Sequence, residues 1–259
     1  MWEKELEIAI EAALEAEKWI MEVYSTDFEV EIKSDDSPVT KADKGADKII
    51  VKYIKERFPN HAFLTEESKD NKSRLNNDFV WIVDPVDGTT DFVSKNGEFT
   101  TNIALCYKHE IVVGVINAPA QNKIYYASKG NGAYLKEKGK EPKRIHVSNK
   151  VDNLTVLNSR SHLTEQDKSC VERHKEKIAN IIPMGAALKF GAIAEGKAEI
   201  SFRFSGGTKE WDTASGTIIL KEAGGNILTP KREEMTYNRD DVYNRDGYVL
   251  FNRIENFMI

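Results

Sequence analysis

Between residues 3 and 24, Leu6, Ile10, Ala13, Ile20 and Val23 recur at helical spacing, with Glu and Lys between them. That period predicts an amphipathic helix. A polar break, KSDDSPVTKAD, runs from 33 to 43. Ala46, Ile49, Ile50 and Tyr53 then mark a second helix, ended by Phe58-Pro59-Asn60. Strand-like runs follow at 62–66, 79–84, 99–107, 111–118 and 123–128. The short turn Lys108-His109-Glu110 predicts a hairpin between two of them, and the glycines at 130 and 132 predict another turn.

The pattern changes after about residue 150. LTVLNS at 154–159 reads as a strand, and a charged helix is expected over roughly 164–180. A short helix at 188–196 ends on glycine, and 199–204 returns to strand. The run 211–225 predicts a helix with Trp211, Ala214 and Ile218 on one side and a Gly-Gly stop. No internal repeat interrupts this order. Helices open the chain, antiparallel strands follow and mixed α/β closes it, which suggests helices layered on two sheets. The expected division is an N-terminal α+β domain over 1–152 and a C-terminal α/β domain over 153–259.

Composition narrows the function. The chain has 259 residues, 37 Lys+Arg against 42 Asp+Glu, and a net charge of -5. That balance argues against a general binder of nucleic acid polymers or membrane surfaces, while leaving room for a local basic pocket. No apolar run approaches the ~18 residues of a membrane span. The start, MWEKELEIAI, lacks the features of a signal peptide. The only cysteines are Cys106 and Cys170, which points to a reducing cytoplasm rather than a disulfide scaffold.

The stretch WIVDPVDGTTDFV then poses a chemical problem. An apolar strand runs directly into Asp84 and Asp87. Glu66 ends another strand, and Asp212 opens a helix. Strand ends and helix starts are where side chains converge on a crevice in layered α/β proteins. At ~4 Å and an effective dielectric of ~20, each like-charged pair costs about 4 kcal/mol. Several such pairs match a domain's whole stability of roughly 5–15 kcal/mol. A converged cluster must therefore take up protons or cations, and an all-oxygen donor set favours Mg²⁺ or Mn²⁺ over Zn²⁺. Pro85 bends the chain after the strand, aiming Asp84 and Asp87 into one space and leaving the Val86 carbonyl as a further oxygen ligand. Gly88 permits close backbone approach, and the Gly88 and Thr89 N–H groups at a helix start suit a phosphate. Taken singly, each acid has an ordinary reading: a turn dipeptide at Asp87-Gly88, a helix N-terminal charge at Asp212, a surface position at Glu66.

The combination resembles the Mg²⁺-dependent, lithium-sensitive phosphatase superfamily of inositol monophosphatase and fructose-1,6-bisphosphatase. The resemblance is carried by Glu66-Glu67, Asp84-Pro85-Val86-Asp87-Gly88-Thr89, Trp211-Asp212 and the upstream Pro38-Val39-Thr40-Lys41-Ala42-Asp43, and it runs over nearly the whole chain. It implies an α/β (α+β) fold, a layered α/β/α/β/α sandwich of the sugar-phosphatase type. Within the superfamily the chain is most similar to the 3′(2′),5′-bisphosphate nucleotidases, the CysQ-like branch. The stretches Asn96-Gly97-Glu98-Phe99-Thr100-Thr101-Asn102-Ile103-Ala104-Leu105, Ser159-Arg160-Ser161-His162, Leu188-Lys189-Phe190 with Ala194-Glu195-Gly196 behind it, and Arg203-Phe204 carry that likeness. Three departures stand beside it: Thr90-Asp91 where the branch usually has Lys-Glu, Ala186 where it usually has Ser, and one extra residue between Arg203 and Asp212.

The resemblance implies a phosphomonoesterase that converts adenosine 3′,5′-bisphosphate to AMP by in-line attack of activated water. Uncatalysed, such hydrolysis is among the slowest of reactions, with accelerations reaching ~10²¹-fold. Glu66, Asp84, the Val86 carbonyl, Asp87 and Asp212 are expected to hold two or three Mg²⁺, with Mn²⁺ as a substitute. Asp43, Glu66 and Thr89 are the expected catalytic groups, with Asp43 and Thr89 orienting and deprotonating the water. Gly88 and Thr89 are expected to receive the scissile phosphate. Lys189 and Arg203 are expected to hold the second phosphate, with Ser161 and His162 nearby. The expected partner is a small phosphorylated molecule, and a homodimer is compatible with the reading. The competing readings are an inositol monophosphatase or fructose-1,6-bisphosphatase, a non-catalytic phosphate- or metal-binding domain, and a structural Ca²⁺ site.

Overall fold

The computed structural model describes residues 1–32 and 38–259. Residues 33–37 of the expected polar break at 33–43 therefore lie outside the described residues. Helix α1 (Glu3–Tyr24) is followed by a two-stranded ribbon, β1 (Val30–Ile32) with β2 (Pro38–Thr40), and by helix α2 (Lys41–Lys55). α1 buries an alanine-rich stripe, Ala9, Ala12, Ala13 and Ala16, so it lies close against Ala42 and Ala46 of α2. Thr40 caps α2: its hydroxyl accepts from Ala42 N–H, while Asp43 reaches back to the Thr40 backbone N–H.

The large sheet has seven strands in sequence order: β3 (Ala62–Thr65), β4 (Phe79–Asp87), β5 (Thr100–Tyr107), β6 (Glu110–Ala118), β7 (Lys123–Ser128), β8 (Ala133–Glu137) and β9 (Lys143–Ile145). β3 and β4 are parallel, and every later pair is antiparallel. Helix α3 (Thr89–Val93) sits between β4 and β5. Side chains alternate between the two faces, and the central strands β4, β5 and β6 are buried on both. Trp81, Val83, Ile103 and Leu105 face α1 and α2, whereas Val80, Ile82 and Ala104 face the opposite way.

Five further strands form the small sheet: β10 (Leu154–Ser159), β11 (Ile178–Met184), β12 (Ile200–Arg203), β13 (Asn226–Leu228) and β14 (Tyr248–Phe251), in the spatial order β11-β10-β12-β14-β13. Helices α5 (Leu188–Ala194) and α6 (Glu210–Glu222) fill the space between the sheets, sharing one core with Leu157, Ile227 and Leu250. α4 (Glu165–Arg173) covers the far face of the small sheet through Cys170 and Val171. The layers are thus helix, sheet, helix, sheet, helix, as expected.

α6 comes close to the large sheet because a row of small residues crosses it. Gly114 of β6 pairs with Ala104 of β5 and Ala127 of β7. A Cβ on Gly114 would lie 2.4 Å from both the Ser215 carbonyl oxygen and Ile218 of α6.

Two local expectations are corrected. The charged helix expected over 164–180 stops at Arg173, and residues 178–184 form β11, an edge strand parallel to β10. The strand expected over 79–84 runs on to Asp87, so Pro85 sits within β4 rather than just after it. The short strands β8, β9, β13 and β14 carry no pattern strong enough to have been expected.

Candidate active site

The bottom of the site is made by a defect in β4. Asp84 pairs with Asn102 and Asp87 with Thr100, so three steps along β4 match two along β5. In an unbroken strand, residues three apart point to opposite faces. The extra residue of this bulge turns Asp87 to the side of Asp84. Two bonds support it: Val86 N–H to Asp84 Oδ1 at 3.1 Å, and the Thr101 hydroxyl to the Pro85 carbonyl at 2.9 Å. Parallel pairing of β3 with β4 brings Glu66 alongside, and Glu66 N–H continues the ladder to the Val83 carbonyl at 3.2 Å. Asp212 arrives from α6, where its carboxylate accepts from Lys209 N–H at 2.6 Å.

One carboxylate oxygen from each of Asp84, Asp87 and Asp212 lies within 4.8 Å of the others. Burial, followed by repulsion from Glu66, Asp87 and Asp212, pushes the Asp84 carboxyl well above its ordinary value. Burial and then the Asp87 charge push Asp212 up to about 8. Asp87 is also raised by burial, against the opposing pull of the Lys189 ammonium and hydrogen bonds from Asn102 and the Ala187 backbone N–H. The Asn102 amide donates to Asp87 Oδ2 at 3.1 Å. Carboxylates held together and kept from ionising are what a divalent cation relieves, and the donors are all oxygen, which fits Mg²⁺ or Mn²⁺.

Beside the acids, the Thr89 hydroxyl bridges Asp43 Oδ1 at 3.2 Å and the Val86 carbonyl at 3.1 Å. Asp43 is buried at the start of α2, and its other oxygen accepts from the Thr40 hydroxyl at 2.7 Å. Burial raises the Asp43 carboxyl, the Thr40 bonds lower it, and Glu66 raises it further. Gly88 caps α3 at φ +85°, a left-handed conformation that favours glycine. A Cβ there would meet Ala186 and the Glu98 carbonyl at 3.1 Å.

Above this floor opens a cleft of 460 Å³. Glu66, Asp87, Gly88, Thr89 and Asp212 line it. So do Ser161, His162, Lys189 and Arg203. Asp84, Val86 and Asp43 are buried and do not line it. Lys189 donates to the Met184 carbonyl at 3.2 Å and to the Ala186 carbonyl at 2.8 Å. Burial lowers its ammonium to about 8, against the pull of Asp87. Arg203 closes the end of β12 and donates through Nη1 to the His162 carbonyl at 2.5 Å, while its buried Nε has no hydrogen-bond partner. Burial and then Arg203 push the His162 imidazole below its ordinary value. All the singled-out residues thus gather at one cleft or directly beneath it.

Reading by sequence missed several groups that shape the site. Asn102 and the Ala187 N–H both hold Asp87, and Lys209 and Tyr248 line the cleft. Asn102 lay within a stretch already singled out. The Ala187 N–H stands in no motif that would have marked it.

The family model for inositol monophosphatases matches residues 1–254. The 3′(2′),5′-bisphosphate nucleotidase CysQ of Buchnera aphidicola is 38% identical over 241 residues, covering 92% of this chain and 89% of its own. CysQ from Bacteroides thetaiotaomicron, a solved structure, superposes with a TM-score of 0.85 at 33% identity, over 97% of this chain and 98% of its own. An inositol monophosphatase from Thermotoga maritima superposes with a TM-score of 0.82 at 26% identity, over 96% and 92%.

Proposed function

The chain belongs to the inositol monophosphatase family, and from that premise we propose that it removes the 3′-phosphate of adenosine 3′,5′-bisphosphate to give AMP. The observation that carries this reading is a single cleft lined both by clustered carboxylates, Asp87 and Asp212 among them, and by the cations Lys189 and Arg203. A substrate with one phosphate to be cleaved and a second to be held fits both.

In this reading residues 1–152 supply Glu66, Asp84, the Val86 carbonyl and Asp87, and residues 153–259 supply Asp212, Lys189 and Arg203. The five oxygen donors would hold two or three Mg²⁺, or Mn²⁺ in their place. When bound, such ions lower the pKa of water and neutralise charge on the transferring phosphoryl group. Asp43 accepts a proton relayed by the Thr89 hydroxyl, because that hydroxyl donates to Asp43 and keeps its lone pairs for the water. Asp43 is held to that task by the two Thr40 bonds. The Gly88 and Thr89 N–H groups at the start of α3 receive the scissile phosphate. Lys189 and Arg203 hold the 5′-phosphate, with Ser161 and His162 at its flank.

Thr90, Asp91 and Ala186 also line the cleft and favour a second reading, an inositol monophosphatase. Phosphate release from adenosine 3′,5′-bisphosphate, inositol 1-phosphate and fructose 1,6-bisphosphate, compared side by side with Mg²⁺, decides between them. A preference for inositol 1-phosphate overturns the nucleotidase reading, and release that persists in EDTA overturns the metal site. Among the described residues no helix is long and apolar enough to cross a membrane. Two unpaired, buried cysteines support a cytoplasmic location.

A further inference from the structure

Two stretches singled out in the sequence, around Asn96-Gly97-Glu98 and Ser159-Arg160-Ser161, meet in space although 62 residues separate their charged members. Arg160 Nε donates to Glu98 Oε2 at 2.7 Å and Nη2 to Oε1 at 2.6 Å, a two-pronged ion pair. Neither side chain lines the cleft. The pair grips the turn that follows β11. Gly185 N–H donates to Glu98 Oε2 at 2.7 Å, and Arg160 Nη2 also donates to the Pro183 carbonyl at 3.0 Å. Burial pushes the Glu98 carboxyl up, but the Arg160 and Gly185 bonds outweigh it and hold the group below its ordinary value.

That turn is tightly specified. Ala186 adopts φ +48°, an uncommon conformation for a residue with a side chain. A Cβ on Gly185 would lie 2.7 Å from Asp91 Oδ2 and 2.8 Å from the Glu98 carbonyl, so the chain there has no room to shift toward α3. Three functional contacts leave the turn. The Met184 and Ala186 carbonyls receive the Lys189 ammonium, and Ala187 N–H reaches Asp87.

We propose that Glu98 and Arg160 act together as a positioning pair that fixes the 184–187 turn and so sets the place of the Lys189 ammonium, giving the enzyme its preference for a substrate with a second phosphate. This rests on the nucleotidase reading above. Neither residue touches the reacting phosphate. Their effect passes through the Gly185 bond to the turn and from the turn's carbonyls to Lys189. A bidentate pair anchored at a third point holds a loop in one arrangement, where a single surface ion pair would not.

The test compares Glu98→Gln, Arg160→Met and the double variant with wild type. Each single change is expected to raise KM for adenosine 3′,5′-bisphosphate about tenfold, the scale of one lost charge-assisted bond. The double variant should raise it no further, because the two residues form one unit. KM for inositol 1-phosphate should stay within about twofold, since that substrate has no second phosphate, while any fall in kcat should be equal on the two substrates, since Ala187 N–H also reaches Asp87. Amide hydrogen exchange across 184–187 should quicken in both variants without global unfolding, a readout that needs no substrate. Unchanged exchange overturns the clamp. Faster exchange with equal KM shifts on both substrates overturns its part in specificity. A wild-type enzyme with no preference for the bisphosphate overturns the nucleotidase reading, and this proposal with it. A wild-type preference that survives in the variants overturns this proposal alone.

Discussion

The Thr89 hydroxyl lies 3.2 Å from Asp43 Oδ1 and 3.1 Å from the Val86 carbonyl, linking the start of α2 to the junction of β4 and α3. A hydroxyl has one proton to donate, so it serves only one of these acceptors at a time. With Asp43 as acceptor, proton uptake from a water at Thr89 ends on a carboxylate. Asp43→Asn removes that terminus while leaving an oxygen to accept from Thr40. The expected result is a fall in kcat of about 10²- to 10⁴-fold, the usual worth of general-base help, with little change in Mg²⁺ affinity. Thr89→Ser should keep most activity and Thr89→Val should lose it. A kcat for Asp43→Asn within threefold of wild type, in roughly the range of a merely structural change, would remove Asp43 from the proton path.

The acid cluster fixes how the metal-free protein responds to pH. Asp212, at about 8 in the folded chain, titrates near 4 when unfolded. Between those values the folded state holds a proton that the unfolded chain has released, so stability falls as pH rises. The penalty is absent below about pH 4 and complete above about 8. Asp84 and Asp87 are raised too and act with the same sign. Melting curves in EDTA should therefore show Tm declining from pH 5 to 8. Asp212→Asn should flatten the decline, and Mg²⁺ should raise Tm most at the alkaline end. A Tm that climbs with pH in EDTA contradicts the account.

Lys189 carries the discrimination between substrates. Replacing it with Met should raise KM for adenosine 3′,5′-bisphosphate by more than tenfold, since losing one partner of a buried charged contact costs about 2–5 kcal/mol, and should change KM for inositol 1-phosphate much less. The wild-type enzyme offers a check without mutation. The ammonium loses its proton near pH 8 in the free protein. Its contribution to kcat/KM is present below that pH and is lost above it, for the bisphosphate alone. Parallel pH profiles on the two substrates would dismiss Lys189 as the second-phosphate group.

The acids were legible in the sequence because Glu66, Asp84 and Asp87 stand at the end of apolar runs and Asp212 opens a helix. The end of a buried strand and the first turn of a helix leave few directions for a side chain. What brings Asp84 and Asp87 to one side was not legible. Pro85 signals a bend, but whether the strand stops there or bulges depends on pairing with Asn102 and Thr100 of β5. β11 was misread because its neighbours are charged and its middle is exposed, leaving no alternation to betray a strand. Its edge is set by pairing with β10, a contact between distant residues. The meeting of Glu98 with Arg160 was hidden for the same reason, although both lay in stretches already singled out.

The row Ala104, Gly114, Ala127 lets α6 lie on the large sheet, and α6 carries Asp212 to Asp87. Gly114→Ala forces a methyl to within 2.4 Å of the Ser215 carbonyl and Ile218. Backbone cannot yield as a long side chain can, so α6 must move away from β6 as a unit. Overpacking of this kind costs about 1–3 kcal/mol, which thermal melts will show. The same displacement separates Asp212 from the two acids fixed on β4, so Mg²⁺ affinity should weaken as well. Leu14, exposed on α1, supplies the control: Leu14→Ala leaves α6 untouched and should alter neither quantity beyond ~0.5 kcal/mol. If Gly114→Ala lowered Tm while Mg²⁺ affinity stayed at the wild-type value, the sheet would be setting the stability of α6 but not the position of its carboxylate.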